Sequence, residues 1–236
     1  MESIPHHAIR AECATALVVG VGALGCQAAA ALVSAGIGGL TLVDDDRVER
    51  SNLQRQVLFD DTDIGRPKVI AAALALRAAA PASTITARTE RVTPHNAADL
   101  VGNHDVTIDA TDDPDSKYLL NRTAVEAGKP LVYGGVARTG GLTLAVRPGV
   151  SACLACAFPP QLARGDESCA ALGIIAPVAG AIGALQAHLA LRLLEDPPSV
   201  GGLLYVYEMH GRRWRTLRFE RDPQCSTCSA AAQRAA

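Results

Sequence analysis

Three glycines within six positions, Gly20-Val21-Gly22-Ala23-Leu24-Gly25, limit what this chain can fold into more than any other stretch. They follow a short apolar run, Leu17-Val18-Val19, suited to a strand buried on both faces. They open an Ala-rich helical segment that Gly36 is placed to stop. Gly20 allows a tight turn, Gly22 lets a phosphate approach the backbone, and Gly25 lets helix and strand pack closely. Free N–H groups and the positive dipole end at the helix start favour an anion. A second strand, Leu40 to Val43, ends in Asp44, which stands about 20 residues further on and is placed to accept hydrogen bonds from ribose hydroxyls. The stretch therefore reads as a nucleotide site, equally suited so far to NAD and to ATP.

The residues beyond Asp44 separate the two. Asp44-Asp45-Asp46-Arg47-Val48-Glu49-Arg50-Ser51-Asn52-Leu53-Gln54-Arg55-Gln56 is dense in charged and amide groups. A dinucleotide has little use for them, whereas arginine and amide donors stabilise charge spread over the oxygens of a reacting triphosphate.

Downstream, strand and helix signals alternate. Pro67 to Ala80 reads as a helix, Thr84 to Arg88 as a strand, and Pro94 to Gly102 as a short helix. Asp105 to Ala110 is a buried strand whose end carries Thr111-Asp112-Asp113. Pro114 to Gly128 is a helix and Leu131 to Val136 a strand. Alternation of this kind implies a mostly parallel, Rossmann-like α/β sheet with helices on both faces and its ligand at the strands' C-terminal ends, where Asp44 and Asp112 both fall. The second half changes character. Leu142 to Val146, Leu203 to Glu208 and Trp214 to Glu220 read as strands that extend the same sheet in antiparallel fashion, the last two joined at Gly211. The chain is thus expected to be one domain, with a nucleotide-binding half over 1–140 and an antiparallel extension over 141–236.

Cys153-Leu154-Ala155-Cys156 and Cys225-Ser226-Thr227-Cys228 are two CxxC knuckles, fit to close a tetrahedron of four thiolates around a structural zinc. A redox role for one pair is the competing view. Cys13 and Cys26 sit among apolar residues and read as core fillers. Seven cysteines, with no export signal in the polar stretch Met1 to Arg10, point to a reducing compartment, by default the cytoplasm. A net charge of −2 argues against a nucleic-acid surface. The one long apolar segment, Gly173 to Leu194, contains Pro177, Gln186, His188 and Arg192, so it reads as a buried or interface helix and not as a membrane span.

Val43-Asp44-Asp45-Asp46, Ser51-Asn52-Leu53-Gln54-Arg55-Gln56, Arg66-Pro67-Lys68, Asp109-Ala110-Thr111-Asp112, the two CxxC pairs and Ser168-Cys169 together resemble the ThiF/MoeB/HesA family, over about residues 15 to 228. These are bacterial relatives of ubiquitin-activating enzymes. The resemblance implies an adenylyltransferase that uses ATP and magnesium to activate the C-terminal Gly-Gly carboxylate of a small ubiquitin-like sulfur-carrier protein. It implies that Gly20, Gly22, Ala23, Gly25, Asp44, Asp46, Asn52 and Gln56 bind the nucleotide. Arg55 and Lys68 would contact its phosphates, and Asp112 would hold magnesium. A carboxylate nucleophile is already ionised, so the chemistry rests on positioning and electrostatics, without a general base.

The resemblance places Cys169, flanked by Asp166 and Glu167, in a crossover loop where it can join the carrier covalently, although those two charges disfavour a thiolate. It further implies a homodimer and, since no rhodanese-like extension is present, a separate sulfur-donor protein. Two positions depart from the pattern. Asp113 stands where relatives carry Asn, bringing a second carboxylate that either tightens metal binding or faces solvent. Relatives begin with an Arg-Tyr-x-Arg-Gln-like helical segment, whereas Arg10 has no such context. Three other readings stay open: a non-catalytic adaptor that binds a carrier, adenylation of a peptide or tRNA-linked carboxylate, and an NAD-dependent oxidoreductase.

Overall fold

The computed structural model describes residues 10–160, 173–195 and 199–229. Alternation along the central strand divides the core in two. Ala16 and Val18 of β1 (Thr15–Val19) point into one apolar cluster, and Leu17 and Val19 into the other. The first cluster is covered by α1 (Ala23–Ser34), α2 (Lys68–Ala79) and α6 (Ala176–Glu195). The second is covered by α3 (Ala97–Gly102), α4 (Pro114–Ala127) and the short α5 (Leu154–Ala157).

The sheet order is β3-β2-β1-β4-β5-β6-β7-β8. β2 (Gly39–Val43), β3 (Thr84–Arg88), β4 (Val106–Asp109) and β5 (Leu131–Ala137) run parallel with β1. β6 (Gly140–Val146), β7 (Leu203–Glu208) and β8 (Arg213–Arg218) then continue the sheet antiparallel. The α/β class and the antiparallel C-terminal strands are as the sequence implied. β1, flanked by β2 and β4, is where the order reverses, and a crevice opens there beyond the strands' carboxyl ends.

Boundaries moved by a few residues for local reasons. α1 stops at Ser34, and Gly36 takes a left-handed φ of 83° while Ile37 N donates to Leu32 O, the Schellman closure that ends the helix. The β7–β8 turn places its positive φ on Arg212, not on Gly211. Cys26 is buried as expected, but Cys13 is exposed on a 3-10 turn, Arg10–Cys13, at the rim of the core. α6 is long and apolar enough to cross a membrane by length and composition, yet 56% of its most apolar window is buried inside the fold. A Cβ on Gly183 would stand 2.6 Å from Leu24 O, so α6 and α1 approach more closely than side chains allow.

Candidate functional site

The crevice is a cleft of about 280 Å³ at the carboxyl ends of β1, β2 and β4. Its floor is the glycine turn. Gly20, at φ 88°, donates its N–H to Val43 O, and an added Cβ would meet Ala110 O at 2.6 Å. A Cβ on Gly25 would lie 1.9 Å from Gly20 O, so the turn packs directly under the first helical turn of α1. Gly22 is the N-cap of α1 and makes no side-chain cap hydrogen bond, and no acidic residue occupies the first turn. The first N–H groups of α1 are thus left for an anion.

Asp44 leaves β2 at the cleft wall. Its Oδ2 accepts from Val21 N at 2.6 Å and its Oδ1 from Asp46 N at 2.8 Å. Burial raises its pKa, opposed by the Lys68 charge and by those two N–H bonds. The segment after Asp44 turns back against the start of α2. Val48 N donates to Arg66 O and Lys68 N to Asp46 O, and Arg47 bridges Pro67. Lys68, nearly buried, is thereby carried into the cleft, where its Nζ lies 2.6 Å from Asp46 Oδ2. The Arg55 guanidinium is held by Asn52 Oδ1 at 2.5 Å and Ser51 O at 3.2 Å. Gln56 is buried beside Gly22, and its Oε1 has no partner within the protein. Such an orphaned acceptor on the cleft wall suits a ligand donor.

Asp112 completes the opposite wall beyond β4. Asp113 stays partly open to solvent, at 32% side-chain exposure, and has a further role that the sequence did not suggest. It caps α4, accepting from Asp115 N, Ser116 N and Ser116 Oγ, and pairs with Arg91 at 3.3 Å. The structure brings Gly20, Gly22, Ala23, Asp44, Asp46, Asn52, Arg55, Gln56, Lys68 and Asp112 around one cavity, with Gly25 directly beneath. Cys169 lies outside the described residues. Glu90, Arg91 and Lys117 also line the cleft and were not singled out in the sequence. The rule that ligands meet the strands' carboxyl ends, applied to β3 as well as to β2 and β4, points to the first two.

At the other end of the second core cluster, Cys153, Cys156, Cys225 and Cys228 converge. Sγ separations of 3.8, 3.7 and 3.4 Å link Cys153 to Cys156, Cys153 to Cys225 and Cys156 to Cys228. A tetrahedron with Zn–S bonds of about 2.3 Å requires sulfurs about 3.8 Å apart, so the donor set fits a closed zinc site. Burial pushes the Cys153 thiol up. Burial raises Cys228 likewise, whereas at Cys225 N–H groups of Cys228 and Thr227 outweigh burial and hold that thiol below its ordinary value.

Comparisons with known proteins agree with this architecture. An "Adenylyltransferase and sulfurtransferase uba4" of Emericella nidulans is 40% identical over 237 residues, covering 93% of this chain and 48% of that protein. The chain thus spans about half the length of the fungal relatives it matches. The "SAMP-activating enzyme E1" of Haloferax volcanii is 36% identical over 214 residues, covering 90% of this chain and 79% of that protein. Among solved structures, E. coli MccB with ATP superposes with a TM-score of 0.80 at 22% identity, over 92% of this chain and 67% of that one, which shows a shared fold. With the ThiF family model matching residues 8–227 and the haloarchaeal relative matched over most of its own length, the chain belongs to the ThiF family.

Proposed function

We infer that this protein is an ATP-dependent adenylyltransferase that activates the C-terminal carboxylate of a small ubiquitin-like sulfur carrier ending in Gly-Gly. The observation that carries the reading is the cleft itself: an uncapped helix start without acidic residues, a ribose-height Asp44, and the cations Arg55 and Lys68 on one wall. The names of the relatives, an adenylyltransferase and an activating enzyme, support it.

In this reading the carrier's carboxylate oxygen forms a bond to the α-phosphorus while the bond to pyrophosphate breaks, the electron pair leaving with pyrophosphate. N–H groups at the start of α1 hold phosphate oxygens. Lys68 turns from Asp46 towards the phosphates, and with Arg55 offsets the charge that develops on the leaving group. Asp44 and Gln56 orient the nucleoside. Asp112, on the opposite cleft wall, would hold magnesium, which when bound would supply further charge neutralisation. The four cysteines would hold zinc as a structural staple, since four sulfur ligands would leave no position open for chemistry.

Carrier-dependent exchange of labelled pyrophosphate into ATP tests the assignment. Exchange is expected with the full chain and a Gly-Gly-ended carrier, and a loss of about 100-fold or more in Arg55→Ala and Lys68→Ala. ATP binding without exchange for any such carrier would move the assignment to an adaptor. Exchange driven by a short peptide alone would move it to peptide activation.

A further inference from the structure

Arg221 stands between the end of β8 and the second CxxC pair, and its guanidinium spans the two arms of the cysteine cluster. Nη1 donates to Gly149 O at 2.7 Å, in the turn that leads from β6 towards Cys153. Nη2 donates to Cys228 O at 3.1 Å, on the other arm. Nε is buried, and no oxygen accepts its hydrogen. Among the described residues no carboxylate lies within ion-pair distance of Arg221, in contrast to Arg50, Arg66, Arg88, Arg91 and Arg192. The adjacent Asp222 accepts from Gln224 N instead. A half-buried guanidinium held only by carbonyl oxygens lacks the anion that would balance its charge.

Four thiolates around a zinc ion would supply one, since the loaded cluster carries a net charge of about −2. Outer donors to ligating atoms govern how firmly a site holds its metal. One such donor is already in place: Asp222 N points to Cys156 Sγ at 3.5 Å. At Cys228, burial and the neighbouring cysteines push the thiol up to about 11, and a hydrogen bond from the Arg221 side chain opposes them. We propose that Arg221 is the outer cation of this metal site: its guanidinium offsets the tetrathiolate charge, donates Nε–H to the Cys228 sulfur, pins both arms, and so sets how tightly zinc is held. This goes beyond the zinc reading and rests on it. The two carbonyl contacts are available with or without metal, whereas attraction to the net negative charge arises only when metal and thiolates are together. Arg221 therefore favours the loaded form over the metal-free one.

The test is zinc competition on the full chain against a chromophoric chelator at neutral pH, with denaturant stability of the metal-free chain measured beside it. Arg221→Gln is expected to weaken zinc binding by about 10- to 100-fold, more than any loss of stability in the metal-free chain accounts for. Arg221→Lys keeps the charge without the planar fork and should recover part of the loss. Arg218→Gln, which removes an exposed cation from β8, should leave zinc binding within about twofold. Cobalt loaded in place of zinc reads the sulfurs directly. Loss of an N–H donor and a cation raises the sulfur donor level, so the sulfur-to-cobalt charge-transfer band should move to longer wavelength in Arg221→Gln, a shift that a purely structural clamp would not cause. That band decides the matter even if the metal-free variant does not fold. Unchanged zinc affinity or an unmoved cobalt band in Arg221→Gln, or an equal loss in Arg218→Gln, overturns the proposal. A wild-type chain that takes up no zinc overturns instead the metal reading beneath it.

Discussion

An alanine Cβ at Gly25 would stand 1.9 Å from the Gly20 carbonyl oxygen, whereas one at Gly22 would meet nothing nearer than Gln56 Nε2 at 3.9 Å. The two glycines therefore serve different ends, one packing the turn and the other keeping the cleft floor open. Gly25→Ala should lower stability by about 3 kcal/mol, because backbone cannot yield there as a flexible side chain would. Gly22→Ala should leave stability within about 0.5 kcal/mol yet raise the Kd for ATP about tenfold, its methyl occupying space the phosphates need. Denaturant melts and nucleotide titrations of the two variants separate these outcomes, and equal loss of stability in both would refute the distinction. Lys68 is placed by the same local logic: it is the first residue of α2, next to Pro67, in a segment hydrogen-bonded to the loop after Asp44. Residues of this kind were legible in the sequence because their chemistry is local to the motif. Lys117 was not. As one lysine on a helix it looks like a solvated charge, and only the fold sets it against Asp109 and Gly134.

At the level of elements, α4 shows how a site residue and a cap trade identities. Asp113 satisfies the free N–H groups at the helix start while its neighbour Asp112 faces the cleft. Removing the cap in Asp113→Ala should cost about 1 kcal/mol. Partial burial pushes the Asp113 carboxyl up, but bonds from the Ser116 hydroxyl and N–H, the Asp115 N–H and Arg91 outweigh it and hold its pKa below the ordinary 3.8. Its contribution is then fully present above the unfolded value and is lost as pH falls through the lower folded one. Thermal melts from neutral pH downward should show a shallower acid limb below about pH 4 in Asp113→Ala than in wild type. An unchanged limb would mean that the cap contributes nothing. On sequence grounds alone a carboxylate beside a metal-binding candidate suggested the metal or solvent, since capping depends on where the helix begins. That start is set by β4 ending at Asp109 and Pro114 opening the next turn.

On the scale of the whole molecule, the four cysteines bring together parts of the chain 72 residues apart, where a bound zinc would fasten the segment around Cys225 and Cys228 to the second core cluster. A cross-link closing a loop of that size is worth about 4 kcal/mol if it acts mainly on the unfolded chain. Chelation of the metal, or Cys225→Ser, should accordingly lower Tm by on the order of 10 °C. Elemental analysis of the purified chain should return one zinc per chain, and a metal-free chain of unchanged Tm would refute the staple. The alternation of strand and helix, the glycine turn, Asp44 at a strand end and two CxxC pairs were sufficient, from sequence alone, to specify an α/β sheet, a crevice at its strands' carboxyl ends and a cluster of four cysteines. Each is a short-range pattern enforced by backbone sterics, hydrogen bonding or ligand geometry. The tertiary structure alone decided which further charges line the cleft. Glu90 and Arg91 reach the cleft from just past β3 and Lys117 from α4, and Gly135 joins it to a second groove. Such neighbours are chosen by sheet order and helix packing, which bring distant residues together in ways that local propensity does not encode.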